Sequence, residues 1–271
     1  MKKFKASLKH LTPIAATLTI TLGLGLAMKL RGVEAESLTM FPETLMGATL
    51  NSGVFILLML GAASLMYALV RYGHHKVVIN IIRVTLTLAV VMLLLWFSQA
   101  YCGELSYHKS ITLFASILIG GLLTYGVYRG GVVSQIGCAA AISSLIGTFL
   151  GSSIPLLTSL ILLLGLSIYD VVSVYKGPIG KMAERIDVGS FLGAVVNYSD
   201  LTIGLGDLVF YSMLINTALI NLGLLSAAAA TLGVLAGSYG ALRILEKRSM
   251  FPGLPIPLLT GMALALACKA V

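Results

Sequence analysis

Asp170 and Asp207 are the residues of this chain whose position most demands a chemical reason. Asp170 follows Leu162-Leu163-Leu164-Gly165-Leu166-Ser167-Ile168-Tyr169 and precedes Val171-Val172. Asp207 lies in Ile203-Gly204-Leu205-Gly206-Asp207-Leu208-Val209-Phe210-Tyr211. Both stand in apolar surroundings, whereas the other eight of the ten acidic residues fall in polar clusters. An ionisable group at the centre of a bilayer costs about 2.5–3.5 kcal/mol on insertion scales. Two carboxylates a few ångströms apart cannot both ionise cheaply, so they share a proton. One then acts as a base and the other as an acid at the same pH. A water between them can be deprotonated and driven onto an amide carbonyl, while the protonated partner donates to the carbonyl oxygen. The reaction this chemistry points to is peptide-bond hydrolysis at a membrane, with no metal, cofactor or covalent nucleophile. Intramembrane aspartates also serve cation or proton conduction, and that is the alternative the two residues leave open.

Other chemistries have little support. No His-Glu-x-x-His pattern offers a zinc site, and His10, His74, His75 and His108 all fall near polar turns. Cys102, Cys138 and Cys268 are dispersed without metal-ligand spacing. No glycine-rich phosphate loop is present. Ser173-x-x-Lys176 has the spacing of a Ser-Lys dyad, but Lys176 is placed to extend its charge to the membrane surface.

The elements that must position the aspartates follow from composition. Of 271 residues 58% are apolar and 10% are Asp, Glu, Lys or Arg, against about 25% charged residues in an ordinary soluble domain. The apolar residues come in blocks near 11–28, 47–70, 77–101, 110–128, 131–150, 154–175, 203–222, 223–243 and 253–268. Each block is long enough to cross most or all of the roughly 30 Å hydrocarbon layer as a helix, and too long for a barrel strand. The expectation is an all-α membrane protein of nine transmembrane helices in one polytopic domain over 1–271. Helices one to six occupy about 11–175, a polar loop 176–202, and helices seven to nine about 203–271.

Charge orients the helices. With the N-terminus cytoplasmic, the inner segments hold Lys2, Lys3, Lys5, Lys9, Arg71, Lys76, Arg129, Lys176, Lys181, Arg185, Arg243, Lys247 and Arg248. The outer segments hold Lys29, Arg31, Lys109 and Lys269, and Arg83 lies near the cytoplasmic end of the third helix. Thirteen against four is the bias expected for N-in, C-out. The net charge of +8 then reflects orientation and anionic headgroups, with no nucleic acid implied. In this frame Asp170 is about 24 Å along the sixth helix and Asp207 about 6 Å along the seventh. The two carboxylates come to comparable depth near the cytoplasmic side, on consecutive antiparallel helices.

Their flanking residues carry a resemblance. Tyr169-Asp170 and Gly204-Leu205-Gly206-Asp207, the latter continuing through Leu208-Val209-Phe210-Tyr211-Ser212, resemble the YD and GxGD signatures of presenilin and signal peptide peptidase. Phe251-Pro252-Gly253-Leu254-Pro255-Ile256 resembles the PAL motif before the last helix, with Gly253 where the family has alanine. The motifs occur in family order, in helices six, seven and nine. The resemblance implies a presenilin-like bundle and a GxGD aspartic endopeptidase of compact prokaryotic type, multi-pass in the cell membrane. It implies Asp170 and Asp207 as the catalytic pair, with Tyr169, Gly204, Leu205 and Gly206 shaping the active site. Pro252, Gly253 and Leu254 would bind substrate, which would be transmembrane helices or remnant signal peptides within the lipid bilayer. Oligomerisation is left open. From the residues alone, Gly204 and Gly206 permit close backbone approach or an unwound helix start. Pro252, Pro255 and Pro257 favour extended chain, which survives at membrane depth only against protein or a water-filled cavity. The 176–202 segment is much shorter than its presenilin equivalent, which sets autocleavage in doubt and leaves a role in gating substrate.

The charge bias makes a direct prediction. A reporter fused after Val271 should appear outside the cytoplasm, and one inserted beside Lys181 inside it. Both reporters on one side would refute the nine-crossing arrangement.

Overall fold

The computed structural model describes residues 6–102, 109–176, 195–198, 201–246 and 251–269. The mixed-charge stretch 181–187 and most of the 176–202 loop lie outside these. Nine α-helices are present among the described residues: α1 (Thr12–Leu30), α2 (Leu45–Arg71), α3 (His75–Cys102), α4 (Lys109–Arg129), α5 (Val132–Ser153), α6 (Leu156–Lys176), α7 (Leu205–Asn221), α8 (Leu224–Leu245) and α9 (Pro255–Lys269). A single 3₁₀ turn, Leu8–Leu11, leads into α1. Seven helices are long and apolar enough to cross a membrane. The fold is the expected all-α membrane bundle. The join between α7 and α8 falls at Gly223, whose φ of 102° lies in the left-handed region, so the chain turns there at little cost only because the residue lacks a Cβ.

Two expectations need correction. The seventh helix starts at Leu205 rather than at 203, because Ile203 and Gly204 belong to a hairpin. Strand β1 (Val195–Tyr198) pairs antiparallel with β2 (Leu201–Gly204), with Val195 opposite Gly204 and Tyr198 opposite Leu201. Thr202 and Ile203 are β-branched, so they fit a pleated strand as readily as an apolar helix start. The ninth helix starts at Pro255, so Pro255 and Pro257 sit in its first turn, where a missing N–H costs no hydrogen bond. Only 251–254 runs outside the helix before it.

As a result α7 and α9 are short, with 17 and 15 residues. At 1.5 Å per residue they rise only about 25 and 22 Å, less than the hydrocarbon layer. A strand precedes the N-terminal end of α7 and a short non-helical segment precedes that of α9.

Close contacts between small residues hold these short helices. Helix α7 is buried on nearly all sides: Leu208, Met213, Leu214, Ile215, Asn216 and Leu219 are each no more than 1% exposed. It packs chiefly on α5, with α1 against both. A methyl on Gly147 of α5 would stand 2.2 Å from Ser212 Cβ, and one on Gly151 would stand 2.7 Å from the Met213 carbonyl oxygen. Helix α9 packs on α8 in the same way, a methyl on Gly233 or Gly237 meeting the α9 backbone at 2.7 Å. Gly147–Gly151 and Gly233–Gly237 are both Gly-x-x-x-Gly pairs, which let helix backbones approach closely in lipid.

Polar bonds add to these contacts. Thr21 donates to Ser212 Oγ at 2.9 Å, Ser144 to the Thr17 carbonyl at 2.8 Å, and Asn216 to the Thr148 carbonyl and Ser152 Oγ, both at 2.8 Å. At the far end Lys29 of α1 donates to the Leu219 carbonyl at 2.9 Å, placing a cation at a helix C-terminus that has none of its own.

Gly151→Ala and Gly237→Ala should therefore lower the unfolding temperature in detergent, by an overpacking cost of about 1–3 kcal/mol each. Gly137→Ala should not, because a methyl there meets nothing within 4 Å. Equal behaviour of the three variants would show that close helix approach is unimportant.

Candidate active site

The site forms where α6, α7 and the 251–254 segment meet. Asp170 lies in the fourth turn of α6 and is half-buried. Its Oδ2 accepts the Leu254 backbone N–H at 3.0 Å. Asp207 is in the first turn of α7, where the positive end of the helix dipole favours a negative charge. Its Oδ2 lies 2.7 Å from where a Cβ on Gly253 would be. Both carboxylates thus meet consecutive residues of one backbone segment. Gly204, the N-cap of α7, faces Asp207 from the other side, its missing Cβ 3.5 Å from the carboxylate.

Tyr211 ties this arrangement together. It is 3% exposed, one turn along α7 from Asp207, and its hydroxyl donates to the Gly253 carbonyl at 2.8 Å. It stands within the motif quoted above, but the motif alone gave it no role. The signal was spacing: residues four apart share a helix face.

A cavity of about 140 Å³ adjoins Asp207, lined among others by Ile14, Thr202, Tyr211, Ser238 and Gly253. At roughly 30 Å³ per water it has room for several, and a carboxylate and hydroxyls on its wall can hold them. Strand β2 contributes Thr202 and Ile203 to the same wall.

The remaining residues singled out in the sequence fall elsewhere. Tyr169 is half-buried beside Asp170 in sequence and makes no hydrogen bond to another described residue. Leu205 is 8% exposed and packs away from the carboxylates, among Val90, Val127, Ile136, Ala139 and Ile142. Gly206 is exposed, and a Cβ on it would meet nothing within 4 Å. Pro252 is buried, at the start of the segment that touches both carboxylates.

Two crystal structures of a presenilin family intramembrane aspartate protease, in different space groups, superpose on this arrangement over nearly its whole length. One gives a TM-score of 0.69 at 20% identity, covering 95% of this chain and 96% of that one. The other gives 0.64 at 21% identity, covering 96% and 97%. The chain has the presenilin fold. No protein-family model matches the sequence, and no curated protein matches it either. The agreement with the presenilin structures therefore lies in the three-dimensional path of the chain.

Gly253 offers a stringent test of whether the 251–254 segment belongs to the site. The Asp207 carboxylate can swing away from a single added methyl, so Gly253→Ala should retain activity within about tenfold. Gly253→Val adds bulk that a swing cannot clear, and should cost about 10²-fold or more, the penalty for a reacting group displaced by about 1 Å. Tyr211→Phe leaves the Gly253 carbonyl without its donor and should lose about 1–3 kcal/mol of stability. Turnover of a helical substrate and thermal unfolding measure these effects, and unchanged turnover in Gly253→Val would remove this segment from the site.

Proposed function

We propose that this chain is an intramembrane aspartyl protease that hydrolyses peptide bonds in transmembrane segments or remnant signal peptides. The observation that carries the proposal is the convergence of Asp170 and Asp207 on the Gly253–Leu254 backbone beside a polar cavity. The presenilin fold supports it.

Asp170 and Asp207 form the proton-sharing pair. The ionised member takes a proton from water, and the resulting hydroxide adds to the scissile carbonyl carbon. The protonated member donates to the carbonyl oxygen. As the tetrahedral intermediate collapses, the C–N bond breaks and the leaving nitrogen gains a proton, giving a carboxylic acid and an amine. The Gly253–Leu254 backbone holds the pair in register, and Gly204 leaves space beside Asp207.

Substrate must be extended to present its amide to the pair. Within 251–254 the Leu254 N–H is engaged by Asp170, the Gly253 carbonyl by Tyr211, and the Leu254 carbonyl by the Leu258 N–H. Strand β2 is better placed: among the described residues its sheet partner is β1. It runs directly into the turn that bears Asp207, and an unwound substrate can add to it as a further strand. Pro252, Gly253 and Leu254 then bound the site from the opposite side. The N-in, C-out orientation puts this chemistry near the cytoplasmic leaflet of a prokaryotic cell membrane.

Purified protein in bilayers should cleave a helical substrate that carries helix-destabilising residues. Asp170→Asn and Asp207→Asn should each abolish cleavage, because an amide is neither the base nor the acid. Activity requires the singly protonated pair, so the wild-type rate should fall on both sides of a pH optimum. The acid limb is protonation of the base and the alkaline limb is loss of the shared proton. Full turnover in both Asn variants would sink the proposal. Ion flux that depends on both aspartates, with no cleavage, would establish the conductor instead.

A further inference from the structure

Away from the aspartates, α3 and α4 flank a second cavity of about 310 Å³, open to the surroundings and lined by Arg83, Thr87, Gly121, Thr124, Tyr125, Tyr128 and Arg129. At roughly 30 Å³ per water it would hold on the order of ten. We propose that it binds the phosphate headgroup of an anionic phospholipid.

Charge is the first reason. Arg83 and Arg129 are both exposed on this surface, and neither pairs with a carboxylate among the described residues. Among the described residues Arg83 stacks on the face of Tyr128, 4.9 Å from the ring centroid. A charged group on a membrane helix ordinarily pairs or faces a polar cavity, and here two cations share one cavity with no acidic residue on its wall. The Tyr128 hydroxyl is the second reason. It is buried and has no hydrogen-bond partner, an arrangement that wants an acceptor such as a phosphate oxygen.

Depth supports a headgroup. Arg129 is the last residue of α4, so Tyr128 sits in its final turn. Stacking on Tyr128 brings Arg83 to that level although it is about 12 Å along α3. The arginines therefore lie where α4 leaves the hydrocarbon. A lipid rather than a free anion is favoured by the adjoining surface. Leu88 follows Thr87, Leu122 follows Gly121, and Leu118 lies one turn before; all three are more than half exposed. They offer an apolar track for an acyl chain. Gly121 keeps the wall between headgroup site and track open, since a Cβ there would meet nothing within 4 Å.

Native mass spectrometry of the full chain in detergent, titrated with dioleoylphosphatidylglycerol, dioleoylphosphatidylcholine and inorganic phosphate, tests the assignment. Phosphatidylglycerol should bind at least about tenfold tighter than phosphatidylcholine, as two surface arginines imply. Arg83→Gln with Arg129→Gln should abolish that preference. Gly121→Leu keeps both charges but fills the opening, and should weaken phosphatidylglycerol binding without changing the fold, as judged by circular dichroism. Equal binding of the two lipids, or a preference untouched by these variants, would overturn the proposal. Inorganic phosphate binding as tightly as the lipid would assign the cavity to a free anion and overturn the lipid reading.

Discussion

Backbone that leaves a helix inside a membrane must find hydrogen-bond partners within the protein, because hydrocarbon offers none. Two stretches of this chain do so at the same end of the bundle, β2 ahead of α7 and 251–254 ahead of α9. Their polar groups are served locally: β2 by the ladder to β1, the Leu254 N–H by Asp170, and the Gly253 carbonyl by Tyr211. A carboxylate is costly in this environment and so is a bare peptide N–H. Each meets the other's need at Asp170. Non-helical chain and acidic side chains are thus mutually supporting parts of one local structure.

That local structure needs a firm surround, and the glycine pairs supply it. Helix α7 carries Asp207 and Tyr211, and Gly147 and Gly151 bring it onto α5 at backbone distance. Helix α9 follows the Gly253–Leu254 segment, and Gly233 and Gly237 bring it onto α8 in the same manner. In lipid there is little hydrophobic drive to bring helices together, so close packing and interhelical hydrogen bonds must do it. The periphery is looser. Many side chains of α2, α3 and α4 are exposed to the surroundings of the bundle, as suits a lipid-facing surface.

Much of this was legible in the sequence, for a physical reason. Hydropathy reports burial from water, so it located all nine helices, and an Asp within an apolar run is visible because its cost is large. Gly223 marked the α7–α8 join correctly, since a polar break with glycine is what a tight turn requires. What hydropathy cannot do is distinguish an apolar helix start from an apolar strand, and Ile203-Gly204 was therefore assigned to the helix instead of to β2. Prolines mislead for a related reason. Pro255 and Pro257 disfavour a helix interior but suit its first turn, and only the position of the turn decides between the two. The role of Tyr211 was hidden because its partner is a backbone carbonyl 42 residues away, and no local pattern encodes that distance.

The short segment before α9 has a mechanical consequence for the site. Asp170 is held through the Leu254 N–H, and Asp207 is limited by the bare Cα of Gly253, so adjacent residues of one segment set the position of both carboxylates. Any movement of α9 along its axis is felt by the two together. Tyr211 joins the same segment to α7 as one unit, and α6 meets that unit through the Asp170 bond to Leu254, a buried Thr217–Ser159 hydroxyl contact at 3.4 Å, and the packing of Leu162, Leu163 and Leu166 into the shared core. The separation between the carboxylates is therefore governed by how α6 sits against that unit. Helix α6 packs chiefly on α2, where a methyl on Gly165 would stand 2.6 Å from Ile56 Cδ1. Asp170 is carried by this helix, so the α2 contact bears on its placement without touching either aspartate.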